Sequence, residues 1–90
     1  MSDIDVDRDA LSEFIGALSS FQSQVGGEFQ ELQTKWKKCD ESWKGDSKER
    51  FTKEFEETTS ATQSALEAGE DAQKWLEKFL EIVKEFEEGY

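Results

Sequence analysis

The chain has 90 residues, contains no proline, and carries 22 acidic against 11 basic side chains, for a formal net charge of −11. That charge has the wrong sign for neutralising phosphates, so it argues against nucleic-acid binding and against anionic membrane surfaces. The length allows a single domain, 1–90, with a small core, and the abundance of Glu, Lys, Gln, Leu and Ala predicts an all-α fold.

The sequence offers no apolar run near the roughly 18 residues that span a bilayer, so no membrane insertion is predicted. Its start, Met-Ser-Asp-Ile-Asp-Val-Asp, lacks the basic and apolar regions of a signal peptide. If the protein is exported, we therefore expect a route that does not use a signal peptide. A single cysteine, Cys39, excludes a disulfide within the chain.

The first predicted helix spans about 7–42. Asp7 stands where an N-cap belongs, and apolar residues then recur every seven positions, which predicts a coiled-coil-like seam. At Gly26 and Gly27 the helix is expected either to kink or to let another backbone come close. The predicted seam consists of Leu11, Ile15, Leu18, Val25, Phe29, Leu32, Trp36, Cys39 and Trp43, broken only by Gln22.

A turn is predicted at 43–46. Gly45 can adopt the left-handed conformation that ends helices, and Asp46 or Ser47 can cap the next helix. Trp43, the last apolar residue before the turn, is expected to be clamped between the converging helices. As a core residue it would cost about 3–5 kcal/mol when replaced by alanine.

The second predicted helix spans about 46–88, with large residues at its ends and small ones in its middle. Folding the chain back at the turn sets Leu11 near Phe79 and Cys39 near Phe51, as an antiparallel helix-turn-helix hairpin requires. Its predicted seam consists of Phe51, Phe55, Thr58, Thr62, Ala65, Gly69, Ala72, Leu76, Phe79, Val83 and Phe86.

More apolar surface remains than one hairpin can cover. We therefore expect two hairpins to pair into a four-helix bundle, although long Lys and Glu side chains could instead cover the stripe. The tail, with Phe86 and Tyr90, is expected to extend past the start of the first helix and to be frayed or an attachment point. The expected partner interface consists of Phe14, Phe21, Leu66, Trp75, Leu80 and Ile82.

Catalytic chemistry is not indicated. The chain has no histidine, and Cys39 lies in the predicted buried row, where a thiol acts as a small hydrophobe. Alternating acids at 3–9 resemble the start of a calcium loop, but Arg8 and Phe14 occupy the positions that require Gly and Glu. Most other carboxylates lie beside lysines at helical spacing, as on a solvated face. We predict no enzyme activity, no metal and no cofactor.

Several features together resemble the WXG-motif family of small helical hairpins of type VII secretion. They are the acidic start Ile4-Asp5-Val6-Asp7, a long first helix, the central Trp43-Lys44-Gly45, and Phe51 and Phe55 opening a second helix. The resemblance covers essentially the whole chain. It implies a hairpin that forms homodimers or heterodimers and leaves the cytoplasm already folded, for the medium or cell surface, through an ATPase-driven system.

The resemblance also implies roles for single residues. Trp43 and Gly45 would close the hairpin and form part of an export signal together with a partner's C-terminal tail. The family's own tail signal is a Tyr followed four positions later by Asp or Glu, whereas Tyr90 is the last residue of this sequence. A partner that carries this signal is therefore expected.

Three functions stay open at this point. The first is a type VII-secreted protein that acts as a dimer through protein–protein contacts. The second is a targeting partner that binds the helical N-terminal domain of a larger secreted toxin. The third is a cytoplasmic acidic coiled coil or nucleic-acid mimic, which the interleaved lysines argue against.

Overall fold

The computed structural model describes residues 5–88, which form two antiparallel α-helices joined by a short turn. Helix α1 spans Arg8–Ser42 and helix α2 spans Asp46–Glu88. The hairpin measures 68 × 20 × 14 Å, and residues 5–88 contain no strand. The predicted all-α hairpin is thus confirmed, and its helix ends lie within one residue of those expected.

Helix α1 begins at the predicted cap. The Asp7 carboxylate accepts hydrogen bonds from the backbone N–H groups of Asp9 and Ala10, at 3.0 and 3.1 Å. The Asp7 carbonyl accepts the first helical bond, from Leu11 N, at 2.9 Å. Because the first N–H groups of a helix lack partners within it, this cap satisfies donors that would otherwise be left to water.

The core lies mostly at the open end of the hairpin, away from the turn. Leu11 and Ile15 of α1 pack there with Leu80 and Val83 of α2, and Leu76 and Phe79 pack against this group. Val83 has no exposed surface, whereas the other buried hydrophobic residues, Phe29 among them, keep 8–9% of theirs. Two helices bury little, so the core of a single hairpin is thin.

The α1 seam follows the prediction except at two positions of one row, since Trp36 and Trp43 are half-buried against α2 as expected. Leu11, Ile15 and Phe29 are buried as expected, but Leu32 is 50% exposed and Cys39 is also exposed. A straight α-helix drifts by about 20° per heptad from a strict seven-residue repeat. By Leu32 and Cys39 the drift has carried the row out of the interface, so the prediction that these two residues are buried is wrong.

On α2, one row of the predicted seam is correct, and the other is wrong except at Phe79, which packs against the core. Phe55, Thr62, Gly69, Leu76 and Val83 are buried or half-buried as expected. At the other positions the second inward row is displaced by one residue from the predicted one, and Phe51 and Phe86 are each 44% exposed. Large aromatic residues drew the prediction to the outer row, whereas the inward row mixes polar and apolar side chains. Its members are Thr52, Thr59, Leu66, Gln73 and Leu80.

Helix α1 continues without interruption through Gly26 and Gly27. No heavy atom lies within 4 Å of a Cβ built on either residue. Of the two expected alternatives, close approach of another backbone is therefore not used within this hairpin.

The end of α2 lies beside the start of α1. The Arg8 guanidinium contacts the carboxylates of Glu87 and Glu88, at 3.4 and 3.1 Å. As far as Glu88, the tail stays in contact with Arg8 in the first turn of α1, and its extension past α1 stays a prediction. Tyr90 and Ile4 lie outside the described residues.

A polar contact crosses the middle of the seam. Gln22 donates from Nε2 to the Leu66 carbonyl at 3.4 Å, and its amide occupies the space where a Cβ of Gly69 would lie. A side chain at position 69 would displace the flexible end of Gln22. In the sequence alone, Gln22 stands out only as a break in the apolar row.

Gly69→Ala is therefore expected to leave the free energy of unfolding almost unchanged. The gain of about 1 kcal/mol from replacing a helical glycine is offset by the displaced Gln22. Gly16→Ala is the matched control, since nothing lies within 4 Å of its Cβ position, and it should gain the full amount. Urea unfolding of both variants, and of each in a Gln22→Ala background, measures the coupling. Equal gains at 16 and 69 in the Gln22 protein would contradict the contact.

Candidate functional site

The turn joins the helices through two capping residues. Trp43 is the C-cap of α1, with φ −96° and ψ 126°, and its N–H donates to the Cys39 carbonyl at 3.1 Å. Gly45 has φ +113°, and its carbonyl accepts a bond from Glu49 N at 3.3 Å. The positive φ expected of Gly45 is present. The prediction that Asp46 or Ser47 caps α2 is wrong, because α2 already begins at Asp46 and Gly45 holds the cap position.

An ion pair crosses the turn. Lys48 Nζ lies 2.6 Å from Asp40 Oδ1, and both side chains are partly exposed. Partly exposed pairs of this kind contribute at most about 1 kcal/mol. The pair nevertheless fixes the last turn of α1 against the first turn of α2.

Gly45→Ala is expected to destabilise the hairpin by about 1–3 kcal/mol, because an L side chain is strained at this φ. No atom crowds the position, so the cost comes from backbone conformation alone. Thermal unfolding measures it, with Gly16→Ala as the helical control. A melting temperature unchanged at position 45 would contradict the turn geometry.

An aromatic cluster lies directly behind the turn. Trp36 is its hub, with ring centroids 5.2 Å from Phe51, 5.2 Å from Phe55 and 6.3 Å from Trp43. Trp43 also lies 5.9 Å from Phe51, and Phe51 stacks on Phe55 at 5.6 Å. Trp43 thus contacts one ring from each helix, although it remains half-buried. The central position of Trp36 was missed, and its spacing of seven residues from Trp43 was the available signal.

One side of the hairpin carries a set of exposed apolar side chains that we call the apolar face. Its large members are between 44% and 63% exposed. They are Phe14, Phe21 and Leu32 on α1, and Phe51, Trp75 and Ile82 on α2.

Five of the six large members of the apolar face share one relation to the seam. Phe14 and Phe21 each precede an inward α1 residue by one position, as Phe51, Trp75 and Ile82 do on α2. One step along an α-helix rotates by about 100°. Because the two helices run antiparallel, residues that lie one position before the inward residues of either helix are turned toward the same side of the hairpin. Ala65 and Ala72 follow the same rule and carry the apolar surface of α2 between Phe51 and Trp75. Charged groups at Glu28, Lys35 and Glu54 also precede inward residues, so they interrupt this side.

The opposite side is polar. Gln30 and Gln33 of α1 line a groove there together with Gln63, Glu67 and Glu70 of α2. These residues come from both helices, which shows directly that the two helices share a polar side. The hairpin therefore has one side on which the large exposed apolar side chains lie and an opposite side lined by amides and carboxylates.

Of the six residues expected at a partner interface, four lie on the apolar face and two face the interior of the hairpin. Phe14, Phe21, Trp75 and Ile82 lie on the apolar face. Leu80 is 9% exposed in the core of the hairpin, and the half-buried Leu66 faces Gln22 across the seam. The outward placement of Leu66 and Leu80 is wrong because the inward α2 row is displaced by one residue. Leu32 and Phe51, which were predicted to face inward, lie on the apolar face.

The described residues show no other candidate site. In 5–88, no His, Cys, Asp and Glu side chains cluster in a way that could hold a metal ion. Neither α1 nor α2 has the length of apolar sequence that crossing a bilayer demands.

Comparison with known proteins gives one result. A family model described as WXG100, proteins of 100 residues with WXG, matches residues 3–86. No curated protein and no solved structure matches the chain. Trp43 and Gly45 supply the family's motif at the turn of the hairpin. The match covers nearly the whole chain, which therefore belongs to the WXG100 family.

Proposed function

We propose that the protein is a folded helical substrate of type VII secretion and that it acts by docking a partner on its apolar face. Family membership supports the secretion route. The observation that carries the docking role is the exposure of six large apolar side chains, each 44–63%, on one side of a thin hairpin. Soluble proteins seldom leave such a face uncovered.

The size of the face suits a stable complex. A hairpin 68 Å long and 20 Å wide can supply the roughly 800 Å² per partner that standard interfaces bury. Covering the face with a second helical hairpin gives a four-helix bundle, in which side chains exposed here would become core. A bundle of this kind would also provide the core that one hairpin lacks.

Trp43 and Gly45 have a separate role in this proposal. They close the hairpin and present the turn at one end of the rod, where an export machine can contact it together with a partner's tail. The turn and the apolar face are then distinct sites. The secretion ATPase binds the turn, and the partner binds the apolar face.

A second candidate role is the delivery of a larger secreted toxin, whose helical N-terminal domain would occupy the same face. The open apolar face favours it, because a helical domain of another protein can cover the exposed side chains as a second hairpin would. Nucleic-acid mimicry is not favoured, since lysines interrupt the acidic surface in ion pairs such as Lys35–Glu31, at 3.1 Å, and Lys84–Glu81, at 3.9 Å.

The export test compares the tagged protein in culture medium and cells, with the secretion ATPase active or inactivated. Export of the wild-type chain should require the active ATPase. Phe21→Ser should lose the co-purifying partner, whereas Ser23→Ala, in the same turn of α1 but off the face, should keep it. Release that is independent of the ATPase would refute the secretion role, and an unchanged partner profile for Phe21→Ser would refute the docking role.

A further inference from the structure

We infer that the turn end of the hairpin, residues 35–53, binds a protein surface rich in carboxylates through its exposed lysine and arginine side chains. This inference rests on the proposed binding of the turn by the secretion ATPase, and it specifies the chemistry of the surface that the turn contacts. Its basis is the distribution of charge along the rod.

Charge is unevenly distributed along the hairpin. The turn end contains seven of the 11 basic side chains and four of the 22 acidic ones, which gives it a formal charge of +3. The remaining residues contain four basic and 18 acidic side chains, for a formal charge of −14. The sign of the charge therefore reverses between the turn end and the rest of the chain.

Most cations of the turn end are available to a partner. Lys35 and Lys48 are engaged, at 3.1 Å from Glu31 and 2.6 Å from Asp40. The other five basic side chains are exposed, and within residues 5–88 none of them forms an ion pair. They are Lys37, Lys38, Lys44, Arg50 and Lys53.

The carboxylates of the turn end are fewer than these five cations. Asp40 is held by Lys48, which leaves Glu41, Asp46 and Glu49. A surface that covers this end of the hairpin therefore meets an excess of positive charge, although the whole chain has a formal net charge of −11.

Screening separates the turn end from most of the acidic body. The Debye length is about 8 Å at physiological ionic strength. The turn end extends about 12 Å along each helix, and the hairpin is 68 Å long. A surface that meets the rod end-on thus interacts with the cations of the turn end and only weakly with most of the carboxylates beyond them. Complementary charge also favours approach with the turn first.

A protein surface suits the turn end better than a lipid surface. Peripheral attachment to a bilayer combines basic charge with apolar groups that enter the interface. The aromatic rings of the turn end pack on one another instead, with Trp36 5.2 Å from Phe51 and 6.3 Å from Trp43. Phe51, the exposed ring among them, belongs to the apolar face, which the docked partner would cover.

The test compares two double charge reversals in the full chain. The tip variant is Lys37→Glu with Lys38→Glu. The control variant, Lys74→Glu with Lys78→Glu, makes the same change in net charge at exposed lysines of α2 that also lack an ion pair within the described part of the chain. Biolayer interferometry on immobilised, purified secretion ATPase measures each Kd at about 0.05 and 0.5 M salt.

At low salt the tip variant should bind the ATPase at least about tenfold more weakly than wild type, and the control variant should bind like wild type. High salt should weaken wild-type binding and reduce the difference between wild type and tip variant. Lys44→Glu with Lys53→Glu draws on the same set of cations and should repeat the loss, so the test does not depend on the folding of one variant.

Three results would overturn the inference alone. They are equal affinities of wild type and tip variant, tighter binding by the tip variant, and loss of affinity by the tip and control variants alike. Cosedimentation with phosphatidylglycerol vesicles by wild type and control variant, but not by the tip variant, would assign the cations to lipid headgroups and overturn it as well. Wild type that binds the ATPase at neither salt concentration would refute the proposed role of the turn itself.

Discussion

Val83→Asp is expected to unfold the hairpin. Val83 is the one fully buried side chain among residues 5–88, packed with Leu11, Ile15 and Leu80 at the open end. The change removes about 1.5–3 kcal/mol of apolar burial and adds several kcal/mol for an unpaired carboxylate away from water. Small domains have only about 5–15 kcal/mol in total, so far-UV circular dichroism should show loss of most helix.

Ile82→Asp is the matched control for this prediction. It places the same residue in the same turn of α2, so helix propensity and interaction with the helix dipole change equally. Ile82 is 52% exposed on the apolar face, so the variant should stay helical and lose affinity for a partner. If both variants unfold equally, or if Val83→Asp folds, the division between core and apolar face would be wrong.

Trp36→Ala is expected to destabilise the hairpin by about 3 kcal/mol, the lower end of the range for large aromatic residues, because Trp36 is half-buried. Its ring contacts Trp43 within α1 and both Phe51 and Phe55 of α2. Removing it would separate the helices behind the turn. Urea unfolding, followed by circular dichroism, measures the loss.

Trp43→Ala is the comparison at the turn. Trp43 contacts two of the cluster's rings where Trp36 contacts three, so its loss should cost less than that of Trp36. If Trp43→Ala proves the more destabilising of the two, the hub of the cluster would be misassigned. An unchanged unfolding midpoint for Trp43→Ala, combined with lost export, would show that Trp43 serves recognition.

Local signals predicted the helix ends, the cap of α1 and the conformation of Gly45, although they placed the cap of α2 at Asp46 or Ser47 and not at Gly45. Asp7 caps α1 because its carboxylate reaches the first N–H groups, and Gly45 has the positive φ that few other residues tolerate. These features depend on one or two residues each. They can therefore be read without knowing how the helices pack.

The inward rows were harder to predict, because they depend on helix twist and on pairing between distant residues. A strict seven-residue repeat placed Leu32 and Cys39 in the seam, whereas both lie outside it. On α2, the aromatic residue Phe51 was taken as inward in place of the smaller Thr52. A large apolar side chain is the usual mark of a core, but here several such residues form the outer face.

The candidate site was predicted in part for the same reason. Phe14, Phe21, Trp75 and Ile82 were expected to be exposed and lie together on the apolar face. Leu80 was assigned to that face but belongs to the core. The contact between Gln22 and Gly69 was not foreseen, because neither residue signals a partner until the helices are paired.

Site-specific photocrosslinking in the producing cell tests the docking role of the apolar face most directly. A photoreactive phenylalanine analogue at position 21 lies on the face, and the same analogue at position 30 lies in the polar groove. Position 21 should yield one discrete crosslinked product, identified by mass spectrometry, and position 30 should yield none. Crosslinking at 30 but not at 21, or at neither position, would show that the apolar face is not where this protein meets its partner.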